Sequence, residues 1–261
     1  MDVDLAEKII DEGCRKGLSS IKINWRGEPL LWKEHVPQII KYAKERGIID
    51  VIMNTNGLQL DHNLSYEIVK SGLDQIIFSI DGNSTETYSA IRRGGNFDKL
   101  VSNIENLLKI KRSLKLGKPL VRVQMVRMDS NIHEADRFRD RWLPLVDSVT
   151  FQDYTNRGEQ SERIPVNVGE FEKIGRRPCP QIWQRIVVTW DGKVVMCCRD
   201  WETENIIGEL DYSKGKDLES FWKGPELNNI RRLHLENNLN RISACRKCTY
   251  KESFRWQKKI V

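Results

Sequence analysis

Five of the six cysteines in this 261-residue chain fall after residue 178: Cys179, Cys197, Cys198, Cys245 and Cys248. The run Cys245-Arg246-Lys247-Cys248 puts two thiols at i and i+3 on a tight turn, where both can converge on one inorganic centre. Two protein ligands leave a structural zinc or an iron-sulfur cluster incompletely held. Cys179 and one member of the Cys197–Cys198 pair complete a set of four, because successive side chains of a strand point to opposite faces and only one of the pair can face a given centre. Four thiolates coordinate either a tetrahedral zinc or a [4Fe-4S] cluster, and the spacing leaves both open. Cys14, alone in DEGCRKG, reads as a small buried hydrophobe.

The rest of the chain has to position that set. Hydrophobic residues at 39% and charged residues at 31% are those of a soluble globular protein, and no apolar run is long enough to span a membrane. The opening MDVDLAEKII begins an acidic amphipathic helix without the basic-then-apolar order of a signal peptide, so a cytoplasmic location is expected. The net charge of +6 is spread over helices in which basic and acidic residues interleave, which reads as solvated faces rather than a nucleic-acid surface. Thiols in such a compartment stay reduced, which favours metal or redox chemistry over disulfides.

Between residues 20 and 155 a unit recurs: a β-branched apolar run, a polar turn, an amphipathic helix. Strands are expected at 20–24, 50–56, 74–81, 121–127 and 148–155, with helices near 34–46, 63–72, 97–115 and 132–145, the last capped by Asn131. This is α/β architecture with a parallel sheet. Polar or glycine-bearing loops follow four of the five strands, and four loops aimed at one mouth favour a closed or partial TIM-like barrel over an open dinucleotide fold. Neither GxGxxG after the first strand nor GxxxxGK[ST] occurs. Residues 157–178 read as a linker. After it come a hairpin around Trp190-Asp191-Gly192 and a helix near 217–236, with Trp183, Trp190, Trp201, Trp222 and Trp256 read as core of a small module.

The segment IKINWRGEPLL, followed by NTNG and FSIDG, resembles the radical S-adenosylmethionine (radical SAM) superfamily, whose GGEP element stands here as Arg26-Gly27-Glu28-Pro29. The array Cys179, Gly192-x4-Cys197, Cys245-x2-Cys248 resembles the twitch module, the short relative of the SPASM domain, and this likeness selects Cys197 over Cys198. The resemblance implies a partial (β/α)6 TIM-like barrel body over 1–156, the linker, and a SPASM/twitch module over 179–261 carrying an auxiliary [4Fe-4S] cluster. It further implies that Gly27, Glu28 and Pro29 receive the methionine ammonium of S-adenosylmethionine, that Ser79 and Asp81 meet the ribose hydroxyls or the methionine carboxylate, and that Arg92 pairs with that carboxylate. Asn54, Asn56 and Gln124 would face the mouth.

The family's Cys-x3-Cys-x2-Cys loop and the strand before it have no counterpart in these residues, so the barrel is expected to lack its first strand and the chain as given to be inactive. In the complete protein S-adenosylmethionine and a second [4Fe-4S] cluster would allow hydrogen abstraction from a polar small molecule, sugar or peptide. An external electron donor such as flavodoxin or ferredoxin would serve it, with no nucleic-acid or membrane partner. Substrate contacts are expected from residues 155–178 and 199–216. The competing reading is a non-catalytic binding module held by a zinc with four cysteine ligands.

Overall fold

The computed structural model describes residues 1–154, 178–246 and 248. They form two compact units, Val3–Tyr154 and the described residues from Pro178 onward together with Met1 and Asp2. In the first unit helix α1 (Val3–Arg15) precedes strand β1 (Ser20–Ile23), and then strands β2 (Asp50–Thr55), β3 (Gln75–Ser79), β4 (Leu120–Arg127) and β5 (Ser148–Asp153) alternate with helices α2 (His35–Glu45), α3 (His62–Lys70), α4 (Thr85–Ile91), α5 (Phe97–Ser113) and α6 (Ala135–Trp142). All five strands pair in parallel, in the order β1-β2-β3-β4-β5. No strand is skipped, so the sheet has none of the order reversal that marks a doubly wound fold. It is an open segment of barrel wall, and among the described residues it does not close.

Strand alternation sorts the side chains. Val51, Met53, Ile76, Phe78, Val121, Val123 and Met125 are fully buried on the face the helices cover, and each contributes about 1.5–3 kcal/mol through removal from water. The opposite face carries Asn54 in register with Ile77, Arg122 and Ser148, and Ser79 in register with Gln124 and Thr150. The helices take their phase from apolar spacing: α5 buries Phe97, Leu100, Ile104, Leu107 and Leu108. Asn96 caps α5 by accepting from the Lys99 N–H at 2.9 Å, and Asp61 caps α3 through the Leu64 N–H at 2.8 Å.

The amino-terminal edge of the sheet is stitched twice by one device. Asp74, just before β3, accepts the Val51 N–H of β2 at 2.8 Å and the Lys44 ammonium of α2 at 2.7 Å, with Lys118 on its other oxygen. Asp147, just before β5, accepts the Val121 N–H of β4 at 2.7 Å and the Lys111 ammonium of α5 at 3.0 Å. Burial opposes ionisation of both carboxyls, but the lysine and backbone donors outweigh it and hold them below the usual carboxylate range.

Asn131 is not a helix cap. It is fully buried, its Oδ1 accepts the Met128 N–H at 2.7 Å, and its Nδ2 donates to the carbonyls of Asp81 and Val126. Helix α4 has no counterpart among the expected elements, because seven residues with one buried side chain, Tyr88, carry too little periodicity to announce a helix.

The second unit contains α7 (Gln181–Gln184), an antiparallel sheet of β6 (Val187–Val188), β7 (Lys193–Val195) and β8 (Ile206–Glu209), and helices α8 (Leu218–Trp222), α9 (Pro225–Leu235) and α10 (Ser243–Arg246). The Asp-Gly hairpin forms as expected, with Gly192 at φ +86°. Strand β8, like α4, is additional to the expected elements. The single helix expected near 217–236 is broken at Gly224-Pro225, where a Cβ on Gly224 would meet the Ser220 carbonyl at 2.6 Å and Pro225 opens a new helix. The core of this unit gathers Ile182, Val194, Met196, Ile207, Leu227 and Leu233. Trp190 stands 75% exposed at the hairpin tip, so the tryptophans do not all build this core. Arg231 of α9 donates to the carbonyls of Ile182 and Trp222 at 3.1 and 2.8 Å and stacks over the Trp222 ring at 4.3 Å. The linker read at 157–178 lies almost wholly outside the described residues, as does Trp256.

Asp74→Asn is expected to lower unfolding stability in urea by about 1–3 kcal/mol at neutral pH, the cost of leaving buried donors without their charged acceptor. Since the folded carboxyl titrates below its unfolded value, its contribution is present above about pH 4 and drains as pH falls through the folded value. The difference between wild type and variant should therefore shrink on acidification, as denaturation curves at pH 7 and pH 3 would show.

Candidate functional site

The carboxyl-terminal edge of the sheet is organised around Glu28. Its Oε1 accepts the Thr55 hydroxyl at 2.6 Å and the Leu30 N–H at 3.1 Å, and its Oε2 accepts the Asn56 N–H at 2.7 Å. The loop after β1 is thereby fastened to the end of β2. Gly27, at φ +77°, supplies the left-handed turn that a side chain would disfavour, and Pro29 opens a short 3-10 turn for which Glu28 is the cap. An ionised carboxylate has about four acceptor positions, and three are used, so one remains for an incoming donor. The Asn56 side chain is spent locally, its Oδ1 accepting the Leu58 N–H at 2.9 Å. Asn54 differs: its Oδ1 is buried without a hydrogen-bond partner, as is the Thr150 hydroxyl on the same face of the sheet. Buried polar atoms left unpaired among the described residues are costly.

Asp81, expected to meet a ligand, is occupied within the protein. Only 5% exposed, it accepts the Val126 N–H at 2.8 Å through Oδ1 and grips Arg92 through Oδ2, with Nε at 2.8 Å and Nη2 at 2.6 Å. Arg92 is correspondingly turned to Asp81. Gly82 permits this packing, since a Cβ there would lie 2.6 Å from the Tyr88 nitrogen of α4. Glu134 completes the brace, accepting the Asn83 N–H, the Ser84 hydroxyl and the Thr87 hydroxyl at 2.6, 2.8 and 3.0 Å. Burial opposes its ionisation, but those donors keep its carboxyl below the usual value. Ser79 and Gln124 stand side by side in register beside Thr150, on the face that also carries Asn54.

In the second unit Cys179, Cys197, Cys245 and Cys248 line one cavity of about 20 Å³ with Ile182, Met196, Ala244 and His234. Cys197 and Cys198 sit just past β7 rather than on it. Cys197 turns to the cavity, while the Cys198 thiol lies 3.9 Å from Gln181 Oε1 and is not among the lining groups. The Cys248 N–H donates to the Cys245 carbonyl at 3.3 Å and closes the late turn. The Cys197 sulfur accepts the Arg199 N–H at 3.4 Å. Burial pushes its thiol up to about 12, with backbone N–H groups of Arg199 and Asp200 acting in the opposite direction and Cys198 and Cys248 adding to the rise. Such a thiol is a poor nucleophile at neutral pH but a suitable ligand for a centre that displaces its proton. Among the described residues no three His, Cys, Asp or Glu side chains meet closely enough to hold a single metal ion. His234, 2% exposed, sits among the cavity cysteines and is not among the sequence-derived candidates; its only trace in the sequence is its place beside Leu233 on a buried helical stripe.

The radical SAM superfamily model matches residues 1–118, and the SPASM model, an iron-sulfur cluster-binding domain, matches residues 179–249. Residues 1–118 are thus a radical SAM superfamily segment and residues 179–249 a SPASM segment. Its SPASM match begins at Cys179 and takes in all four cavity cysteines. A probable GTP 3',8-cyclase of Methanococcus maripaludis is 30% identical over 185 residues, which are 71% of this chain and 59% of that relative. A GTP 3',8-cyclase of Petrotoga mobilis is 28% identical over 171 residues, 64% of this chain and 50% of the relative. The chain thus spans about half the length of the curated relatives it matches. Among solved structures, BtrN in complex with AdoMet and 2-DOIA aligns over 95% of this chain and 80% of its own, with TM-score 0.59 and 18% identity. Streptococcus suis SuiB bound to precursor peptide SuiA aligns over 88% and 60%, with TM-score 0.69 and 12% identity. These two likenesses are of fold. In this superfamily and domain, [4Fe-4S] clusters and S-adenosylmethionine are the implied cofactors. Among the described residues no helix is long and apolar enough to cross a membrane.

Glu28→Gln is expected to cost about 1–3 kcal/mol of stability, because one of its three donors loses its acceptor. Hydrogen exchange at the Asn56 amide should accelerate in this variant while exchange in α5 changes only with global stability.

Proposed function

We propose that the chain is the body of a radical SAM/SPASM oxidoreductase-type enzyme, with the barrel body within residues 1–156 and the cluster module within 179–261. Cys179, Cys197, Cys245 and Cys248 would hold a fully ligated auxiliary [4Fe-4S] cluster. The observation that carries this is that those four cysteines, from three separate segments, line a single cavity together with Ile182, Met196, Ala244, His234, Gln181 and Arg199. Four thiolates would satisfy a zinc ion as well, and the match of residues 179–249 to an iron-sulfur cluster-binding domain favours the cluster. With no iron left open, such a cluster suits electron transfer.

Where S-adenosylmethionine is reductively cleaved at a second [4Fe-4S] cluster, it would supply the radical that abstracts hydrogen from substrate. This chain's residues would contribute binding and orientation. The Gly27-Glu28-Pro29 loop, fixed to β2 by the Glu28 carboxylate, offers its remaining acceptor position to the methionine ammonium. Asn54 and Thr150 offer unpaired polar atoms, and Ser79 and Gln124 extend the same polar face. Asp81 would act indirectly, by holding Arg92 and the end of β4. The substrate class is a polar small molecule, sugar or peptide. The solved relatives include one bound to a small molecule and one bound to a peptide. A flavodoxin or ferredoxin would deliver electrons.

Anaerobic reconstitution should give a brown protein with about four irons and four sulfides per chain and no zinc, and Cys197→Ala should lose most of that iron. A colourless protein holding one zinc would instead establish the zinc-module reading. Residues 1–261 contain no Cys-x3-Cys-x2-Cys, so 5'-deoxyadenosine should not form when this chain is supplied with S-adenosylmethionine and dithionite.

A further inference from the structure

His234 is placed to act on the thiol set rather than merely to pack beside it. It projects from α9, is 2% exposed, and shares the cavity with the four cysteines. Its Nδ1 lies 3.2 Å from the backbone nitrogen of Cys179, and its Nε2 lies 3.4 Å from Cys245 Sγ. The first contact fixes the second. A backbone N–H can only donate, so Nδ1 must carry a lone pair, and the ring proton sits on Nε2, directed at the Cys245 sulfur. The Trp183 ring meets the imidazole edge-on, with centroids 6.1 Å apart and planes at 89°, which limits rotation of the imidazole. One side chain thus grips two of the four cysteine segments, one through its main chain and the other through its sulfur.

We infer that His234 is a positioning residue that donates an N–H···S hydrogen bond to the Cys245 ligand of the auxiliary cluster and so raises that cluster's reduction potential. A ligating thiolate carries negative charge, and each added electron makes its sulfur a better acceptor. A fixed donor therefore favours the reduced form over the oxidised one. Hydrogen bonds to cluster sulfurs are among the determinants of iron-sulfur potentials. Burial strengthens the effect, because no water competes for the sulfur at this position. Cys197 receives its donor from the main chain, through Arg199; Cys245 receives one from a side chain, which makes it the ligand whose donor can be removed by substitution.

The inference rests on the proposal that the four cysteines bind a cluster, and the test separates the two. Iron content and an EPR-monitored redox titration would be measured on the reconstituted wild-type chain, on His234→Leu, which has no donor, and on His234→Gln, whose amide restores one. The expected result is about four irons in all three. His234→Leu should show a ratio of reduced to oxidised clusters about tenfold lower at a fixed potential near the midpoint, about 59 mV for a one-electron couple, with His234→Gln returning most of the way to wild type. An unmoved potential in an iron-replete His234→Leu would overturn the role of His234 and leave the cluster intact, whereas a wild-type chain without iron would overturn the cluster itself. Should His234→Leu fail to fold, the wild-type protein still decides. Pulsed EPR of the reduced cluster should show a weakly coupled imidazole nitrogen and an exchangeable proton. A strong nitrogen coupling, as from a direct ligand, or none at all, would refute the hydrogen bond.

Discussion

A parallel sheet ends in backbone groups that its own ladder cannot satisfy, and in this protein carboxylates answer that need at both edges, Asp74 and Asp81 buried, Glu28 half-buried and Asp147 exposed. Asp74 and Asp147 receive N–H groups of the neighbouring strands where the strands begin, while Glu28 and Asp81 receive them where the strands finish. Burial of a carboxylate is costly, and at Asp74 and Asp147 the hydrogen bonds accepted outweigh that cost and favour the ionised form. At the lower edge a lysine from the preceding helix supplies the compensating charge, so strand and helix are tied together in the same contact. At the upper edge the same arrangement gives the loops their shape. The surface on which a ligand would sit is thus a by-product of closing the strand ends.

The repeating architecture could be read from the chain because burial and periodicity agree along it. Runs such as DQIIFSID alternate sharply with amphipathic helices, and the five strands lie within a residue or two of where those runs fall. What escaped has identifiable causes. Helix α4 is short and polar, held by the Ser84 cap and Glu134 rather than by an apolar stripe. Strand β8 is four residues with one buried side chain, Ile207, and its pairing with β7 is a long-range choice that local composition does not encode. Asn131 occupies a position where a cap would be sensible, yet the carbonyls of Asp81 and Val126, far apart in sequence, recruit it into the interior.

The candidate site shows the same division. Motif spacing points to the late cysteines as a set, while Glu28 comes from the family resemblance. It could not reveal that Asp81 and Arg92 engage each other, since an aspartate and an arginine eleven residues apart meet only after β3 turns into α4. Nor could it reveal His234, whose importance arises from the convergence of α9, the segment before α7, and α10. Choosing Cys197 over Cys198 rested on likeness at the sequence level. In three dimensions it follows from the turn after β7, which sends the second thiol toward Gln181.

Helix α9 carries Arg231 and His234 three residues apart, near enough to share one side of a single turn. The arginine clasps the carbonyls of Ile182 and Trp222, and the histidine holds the main chain at Cys179. Segments distant in sequence are therefore drawn to one spar by ordinary polar contacts that involve no inorganic atom. Part of the conformational entropy of bringing those segments together is thus offset by the fold's own polar contacts, and any group the segments hold would bind against a correspondingly smaller ordering penalty.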